Sequence, residues 1–292
     1  MRYACIDHRR NQYPVTMMCR VLKVSKSGYY AWRTRPESAR AKTDRELTQV
    51  IRRLHKDCHG VYGSPKMKDE LRGEGHYYGR HKVARLMRLA GLKGCPKRRF
   101  KVTTKQDPTH PIAKNLLEQD FKAEAPNQRW VADITYISTN QGWLYLAIVM
   151  DLYSRRIVGW SMSRWISRHL AIDALRMAVG ARIHEQGLIH HSDRGSQYTS
   201  ADFRDELEKN GIQCSMSGRG NCYDNAVAES FFGVLKRERV NRVNYRTREA
   251  ARADVFNYIE CFYNHKRRHG YLGNISPEAF EKRTSGLYET VH

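Results

Sequence analysis

The sequence lacks several features that mark other classes of protein. Its seven cysteines are an odd number and form no C-x-x-C pair, which argues against a disulfide framework and against a zinc ribbon. The longest wholly apolar run, residues 143–150, is too short to cross a bilayer, and no basic start followed by an apolar stretch resembles a signal peptide. We therefore expect a cytoplasmic protein without membrane contact, in a reducing compartment.

Acidic residues are scarce beside basic ones. The 292 residues include 52 Lys and Arg against 30 Asp and Glu, which gives a formal net charge of +22 and a pI of about 9.9. Residues 1–120 hold 28 of the basic side chains and only 11 of the acidic ones. A polyanion such as DNA is the expected partner, and the amino-terminal part is expected to bind it.

Residues 1–92 predict an all-α DNA-binding region with two units of the helix-turn-helix type. Residues 14–32 suggest two short helices around Lys23-Val24-Ser25, a pattern that an ordinary helical hairpin fits equally well. Ser64-Pro65 begins another helix, and residues 80–90 predict one with an apolar and a basic face. Such a face is often simply solvated, but the excess of positive charge favours phosphate contact. The candidate DNA-binding residues on it are Arg80, Arg85 and Arg88.

Two further basic segments flank the middle of the chain. Residues 93–127, with four prolines and the run Lys97-Arg98-Arg99, predict an extended basic linker in which Arg98 and Arg99 are candidate DNA contacts. Residues 241–292 predict a helical basic extension. Its cluster around Arg267 and Arg268 is expected to contact target or end DNA.

Residues 128–240 contain both strand and helix patterns. Three successive strands with short turns are followed by helix, strand, helix, strand and helix, which predicts an α/β domain with a mixed five-stranded sheet. This order could bring Asp133, on the first strand, near Asp193, at the end of the fourth. A third acid, Glu229, lies among apolar residues of the last helix.

Each acid has an ordinary explanation when taken alone, because an aspartate between a strand and a helix is most often a cap or a turn former. Buried carboxylates are costly, however, and three in apolar contexts suggest one shared partner, a divalent cation. Asp151 ends the second strand at a turn, where a structural role suffices. His190 and His191 favour DNA contact or packing over metal ligation.

The spacing and surroundings of the acids resemble those of a known family. Asp133 and Asp193 are separated by 59 residues and Asp193 and Glu229 by 35, with Lys236 seven positions farther on. The motifs are similar to those of retroviral integrases and of the second-reading-frame product of bacterial insertion-sequence transposases of the IS-three family. They include Trp130-Val131-Ala132-Asp133-Ile134-Thr135, His191-Ser192-Asp193-Arg194-Gly195-Ser196-Gln197-Tyr198 and Glu229-Ser230-Phe231-Phe232.

The resemblance implies a ribonuclease-H-like integrase core and a DDE polynucleotidyl transferase. This enzyme would cleave DNA at insertion-sequence ends and transfer the freed strand to target DNA. Two Mg²⁺ ions, which Mn²⁺ can replace, would be bridged by Asp133, with Asp193 binding one and Glu229 the other. Further candidate DNA contacts beside the acids are Lys236, Gln197 and Asn225.

The resemblance also implies partners. We expect a homo-oligomer on DNA, associated with the bacterial nucleoid. Fusion or association with the first-reading-frame product is expected because this chain has no leucine heptad run of its own. Two other functions fit the residues: a regulatory DNA-binding protein with an inert integrase-like core, and a plain nuclease of the ribonuclease H class.

Overall fold

The computed structural model describes residues 1–96, 113–117, 120–218 and 225–288. The chain forms two compact units, Met1–Arg53 and Leu54–His292. The boundary lies inside helix α4, Ala39–Asp57, so the helical region predicted over 1–92 is shared between both units. Arg98 and Arg99 of the predicted linker lie outside the described residues. Within the described ranges, no helix is long and apolar enough to span a membrane.

The first unit is helical and consists of α1 (Arg2–Arg9), α2 (Val15–Val21), α3 (Lys26–Thr34) and the greater part of α4. Helices α2 and α3 form where the sequence predicts them. The Ser25 hydroxyl caps α3 by accepting a hydrogen bond from the Gly28 amide at 3.0 Å. Ile6, Cys19 and Tyr29 form a small buried core.

The second unit begins with a helical pair that packs through apolar faces. Its helices are α5 (Ser64–Gly73) and α6 (Arg80–Leu89). Helix α5 begins at Ser64-Pro65 as predicted, but Gly63 is its N-cap residue and not the expected Ser64. The Tyr62 hydroxyl, just before α5, accepts a hydrogen bond from the Arg268 amide at 2.8 Å, which ties this pair to the carboxy-terminal segment. The buried residues of the pair are Met67, Leu71, Val83, Leu86 and Met87.

A mixed five-stranded sheet forms the centre of the second unit, as predicted. The elements of this part are β1 (Arg129–Thr139), β2 (Gly142–Asp151), β3 (Ile157–Ser163), α7 (Arg168–Ala181), β4 (Ile189–Ser192), α8 (Ser196–Thr199), α9 (Ala201–Lys209), β5 (Gln213–Met216) and α10 (Ala226–Glu238). The strand order in the sheet is β3-β2-β1-β4-β5. The pairs β1–β2 and β2–β3 are antiparallel, and the pairs β1–β4 and β4–β5 are parallel.

Helix α7 covers one face of this sheet. Leu170, Ala174, Leu175 and Ala178 of α7 are buried in the same core cluster as residues of β1 and β2. Gly159 on β3 permits this close packing, because a Cβ there would collide with the Ala174 carbonyl oxygen. Helix α7 thus supplies a hydrophobic layer against the sheet.

The carboxy-terminal extension packs onto the sheet domain. The Asn264 side chain accepts a hydrogen bond from the Ile157 amide and donates one to the Ile157 carbonyl, both at 3.0 Å, as the backbone of a neighbouring strand would. Glu281 accepts bonds from Ser154, Arg156 and Arg182 at 2.7 to 2.8 Å. The helices of the extension are α11 (Arg248–Phe256), a π-helical turn (Asn257–Tyr263) and α12 (Pro277–Tyr288).

Candidate active site

Neighbouring parallel strands carry the two aspartates. Strand β1 pairs with β4 from Arg129↔Ile189 to Val131↔His191, a constant offset of 60 positions. Asp133 and Asp193 are also 60 positions apart, so each lies two residues beyond the last residue that is paired between β1 and β4. The sheet therefore brings both acids to the same edge, where ligands of open α/β sheets bind.

The start of helix α10 lies against β1 beside Asp133. Asn225, the residue before the helix, is buried and donates its side-chain amide to the Ala132 carbonyl at 3.2 Å. Glu229 lies in the first helical turn, where the positive end of the helix dipole favours a carboxylate. Asn225 thus joins the third acid's helix to the first acid's strand, and its amide is already bonded within the protein.

The three carboxylates affect one another electrostatically. Burial raises the pKa of Asp133 well above its usual range, and the charges of Asp193 and Glu229 raise it further; the Ile134 amide and the Lys236 ammonium oppose this shift. Burial also raises the pKa of Asp193 and of Glu229, the latter with help from the Asp193 charge. A cation shared by the three carboxylates would relieve this repulsion.

Tyr198, on α8, is a site residue that the sequence did not single out. Its ring is buried, and its hydroxyl has no hydrogen-bond partner among the described residues. Burial and then the charges of Asp133 and Asp193 raise its pKa, which places the hydroxyl within electrostatic reach of both acids. A buried hydroxyl without a partner is costly. In the sequence, only its position five residues after Asp193 could have suggested that Tyr198 belongs to the site.

The donor chemistry of this edge fits a divalent metal ion. Carboxylate oxygens are the hard ligands that Mg²⁺ prefers, and a metal-bound water would give the Tyr198 hydroxyl a partner. Across the described ranges, no group of three or more His, Cys, Asp or Glu side chains is gathered closely enough to hold a metal ion as placed.

Lys236 lies on α10 facing the acids. Its ammonium is 4.6 Å from the centroid of the Tyr136 ring. Burial lowers the pKa of Lys236, and the Asp133 carboxylate opposes this shift. The position suits the DNA contact predicted for this lysine, since a positive charge beside the acids can hold a phosphate.

Gln197 lies close to the second acid. The Gly195 amide donates a hydrogen bond to the Asp193 carboxylate at 3.0 Å. A Cβ at Gly195 would lie 3.0 Å from both Asp193 Oδ1 and Gln197 Oε1, so glycine leaves these side chains room to lie together. The partly exposed Gln197 remains a candidate contact for DNA bound at the acids.

Helix α6 retains the basic face that the sequence predicts. Arg80 and Arg88 are exposed and Arg85 is partly buried. Arg88 and Lys93 line a cleft together with residues at the start of α5. These placements are compatible with the predicted contacts of α6 to phosphates.

Arg267 and Arg268 bind carboxylates of the protein. Arg267 is buried and donates to Glu238, at the end of α10, through Nε at 2.8 Å and Nη2 at 2.7 Å, while Tyr258 donates to the same carboxylate at 2.8 Å. Arg268 donates to Glu70 of α5 at 2.8 and 3.2 Å. This corrects the predicted DNA contact of Arg267, whose guanidinium is enclosed, and gives Arg268 a structural partner as well.

Both histidines before Asp193 are part of the protein interior. His190 packs 5.3 Å from the Phe203 ring centroid, and burial lowers its pKa to about 3, so it is neutral at physiological pH. The ring nitrogens of His191 lie 2.9 Å from the Ser215 hydroxyl and 3.2 Å from the Ser217 hydroxyl. Packing, one of the two roles expected for them, is the role observed.

Asp151 has the structural role that the sequence suggests. Its carboxylate accepts bonds from the amides of Asn127 and Tyr153, both at 2.9 Å, and it is completely buried. Burial raises its pKa to about 6 despite these bonds. It lies opposite Trp130, three positions before Asp133 on β1.

Family models match three parts of the chain. Residues 42–100 match a model described as an HTH-like domain. Residues 123–222 and 229–284 match two models that are each described as an integrase core domain. The first of these integrase matches contains Asp133 and Asp193, and the second contains Glu229.

Individual proteins are also similar to this chain. The transposase InsF for insertion sequence IS3A of Escherichia coli (strain K12) is 44% identical over 286 residues, which cover 97% of this chain and 99% of InsF. The simian T-cell lymphotropic virus intasome in complex with PP2A regulatory subunit B56 gamma has a chain that is 17% identical, with a TM-score of 0.45 and coverage of 79% of this chain and 74% of that one. The HTLV-2 integrase catalytic core domain in complex with magnesium is 16% identical, with a TM-score of 0.40 and coverage of 54% and 98%.

Proposed function

Because this chain belongs to the family of IS3-type insertion-sequence transposases, whose reaction is DNA transposition, we propose that Asp133, Asp193 and Glu229 are its catalytic acids. The observation that supports this assignment is the electrostatic coupling of the three at one sheet edge. Burial and the two neighbouring charges raise the pKa of Asp133, so these carboxylates are poorly stabilised without a cation.

The three acids would hold two divalent ions, Mg²⁺ or Mn²⁺, with Asp133 between Asp193 and Glu229. Such ions, when bound, activate an attacking oxygen and neutralise the charge on a leaving oxygen. Lys236 would hold the phosphate of the DNA end beside the acids, and Gln197 would contact the adjacent backbone. The Tyr198 hydroxyl would support metal binding from its place beside Asp133 and Asp193. Cleavage frees a 3′-hydroxyl at the end of the element, and strand transfer uses that hydroxyl as the nucleophile.

DNA would bind along basic surfaces beyond the acids. The exposed Arg80 and Arg88 of α6 would contact phosphates, together with Arg85. Paired ends require more than one active site, so the active complex would be a homo-oligomer on DNA. It would work in the bacterial cytoplasm, where the nucleoid lies, and would be fused to or associated with the first-reading-frame product.

Strand joining tests the assignment directly. Wild type and Glu229→Gln would be incubated with a labelled duplex carrying the element's own end, in Mg²⁺, in Mn²⁺ and in chelator. Glu249→Gln is the matched control, because Glu249 also lies in the first turn of a helix but is exposed. We expect joined products from wild type and Glu249→Gln with metal only, and none from Glu229→Gln.

Binding of the same duplex separates a catalytic loss from unfolding. Glu229→Gln should bind the duplex as tightly as wild type in chelator, since only the chemical step depends on the acid. Joining by Glu229→Gln at the wild-type rate would refute the catalytic role of this acid. DNA binding without nicking or joining by wild type would favour an inert core, unless the protein fused to the first-frame product joins strands.

A further inference from the structure

Two aromatic side chains are exposed on the β1–β2 hairpin. Tyr136 is 54% exposed and Trp143 is 50% exposed, although both lie within strands. The sheet register pairs Tyr136 with Tyr145 and Ser138 with Trp143, so the two side chains are diagonal neighbours on one face. Their ring centroids are 4.9 Å apart in an edge-to-face arrangement. The pair, which we call the hairpin aromatics, thus leaves ring surface open to solvent.

Positive charge borders the hairpin aromatics. The Lys236 ammonium lies 4.6 Å from the Tyr136 ring centroid and is within electrostatic reach of Asp133. Arg248 donates Nε to the Trp143 carbonyl at 3.0 Å, which fixes the backbone of the hairpin and adds a second cation. Exposed aromatic rings beside cations, continuous with a phosphate-handling site, are typical of surfaces that bind unpaired nucleotides.

The chemistry of this surface favours a nucleotide over a protein as its ligand. The exposed surface is two rings bordered by lysine and arginine, smaller and more basic than the extended apolar patch that a protein interface uses. Lys236 contacts the Tyr136 ring and is within electrostatic reach of Asp133, so a nucleotide stacked on the rings would be near the reacting phosphate. Trp165 is 65% exposed and lies 5.4 Å from the Arg164 guanidinium, but it follows β3 instead of bordering the acids.

We propose that Tyr136 and Trp143 stack an unpaired base of the DNA end next to the reacting phosphate, while Lys236 holds that nucleotide's phosphate. This inference rests on the proposed function of the acids. The end would enter the site with its terminal pairs open. The hairpin aromatics are then binding residues that favour an unpaired end over a paired one.

Fluorescence anisotropy with two labelled duplexes tests the proposal. Both carry the element's end; one is fully paired, and the other has its last few pairs opened by mismatches. The measurements use the Glu229→Gln protein in chelator, so that no chemistry is needed. Trp143→Leu should weaken binding of the open end by about 5- to 150-fold, the equivalent of one stacked base, and leave the paired duplex unchanged.

Two controls make the result specific. Trp143→Phe keeps an aromatic ring and should retain the preference for the open end. Trp165→Leu, which removes a more exposed tryptophan elsewhere, should retain it as well. Equal loss in Trp143→Leu and Trp165→Leu, or no loss in Trp143→Leu, would overturn the proposal. Strand joining by wild type is measured in parallel. Absence of joining with an intact preference for open ends would count against the catalytic assignment and not against the stacking site.

Discussion

Replacing Arg267 by Met should destabilise the protein strongly, because it removes two charge-assisted hydrogen bonds from the buried Glu238 carboxylate and leaves it with the more distant Arg237 guanidinium at 3.8 Å. Glu238 is 5% exposed and Arg267 is 6% exposed, so water cannot take the place of the guanidinium. Removing one member of a buried ion pair costs about 3–5 kcal/mol. Tyr258 still donates to Glu238 at 2.8 Å, so we expect a loss of about 3 kcal/mol in the free energy of unfolding.

A double-mutant cycle isolates the pair. Urea unfolding followed by tryptophan fluorescence would compare wild type, Arg267→Met, Glu238→Gln and the double variant. The double variant removes both charges and should be less destabilised than the sum of the single variants by at least about 1 kcal/mol. Arg246→Met, at an exposed arginine, is the matched control and should change stability by less than about 0.5 kcal/mol.

The same variants distinguish a structural arginine from one that binds DNA. If an arginine contacts a phosphate, removing it should make the slope of log binding constant against log salt concentration about one unit less steep. We expect Arg267→Met to keep the wild-type salt dependence and to lose strand joining, because Glu238 fixes the end of the helix that carries Glu229. The reasoning would be refuted if the losses of unfolding free energy in the two single variants simply added in the double variant. It would also be refuted if DNA binding by Arg267→Met depended less steeply on salt than binding by wild type.

Two further predictions follow from groups buried near the site and near the helical pair. Tyr198→Phe should raise the free energy of unfolding by about 1–3 kcal/mol, because it removes a buried hydroxyl that has no partner among the described residues, but should lower Mn²⁺ affinity about 10- to 100-fold; identical metal titrations would contradict its role beside the acids. Burial lowers the pKa of Lys66 on α5 to about 8, so the cost of its charge is fully present below that pH and disappears as pH approaches 10.5. The free energy of unfolding of wild type relative to Lys66→Met should therefore rise by about 1–2 kcal/mol over that interval in urea unfolding; a constant difference would show that the lysine is solvated.

The order of helices and strands could be predicted because it depends on local patterns. The apolar strand around Asp133, the cap at Ser25 and the Ser64-Pro65 helix start each lie within a few residues of the structure they specify. The sequence predicted a mixed sheet in which Asp133 and Asp193 could lie near each other, but the parallel pairing of β1 with β4 joins segments 60 positions apart and is visible only in the structure.

The sequence by itself determined the identities and spacing of the three acids and the excess of positive charge, because these follow from covalent order and composition. Only the tertiary structure decided which charges are available to a ligand. Arg267 sits in a basic run that suggests DNA, yet its partner Glu238 is 29 positions away and both are buried. The Tyr198 hydroxyl, which has no hydrogen-bond partner in the described part of the chain, is likewise buried by packed neighbours. Burial and pairing are set by residues distant in the chain, which no local pattern records.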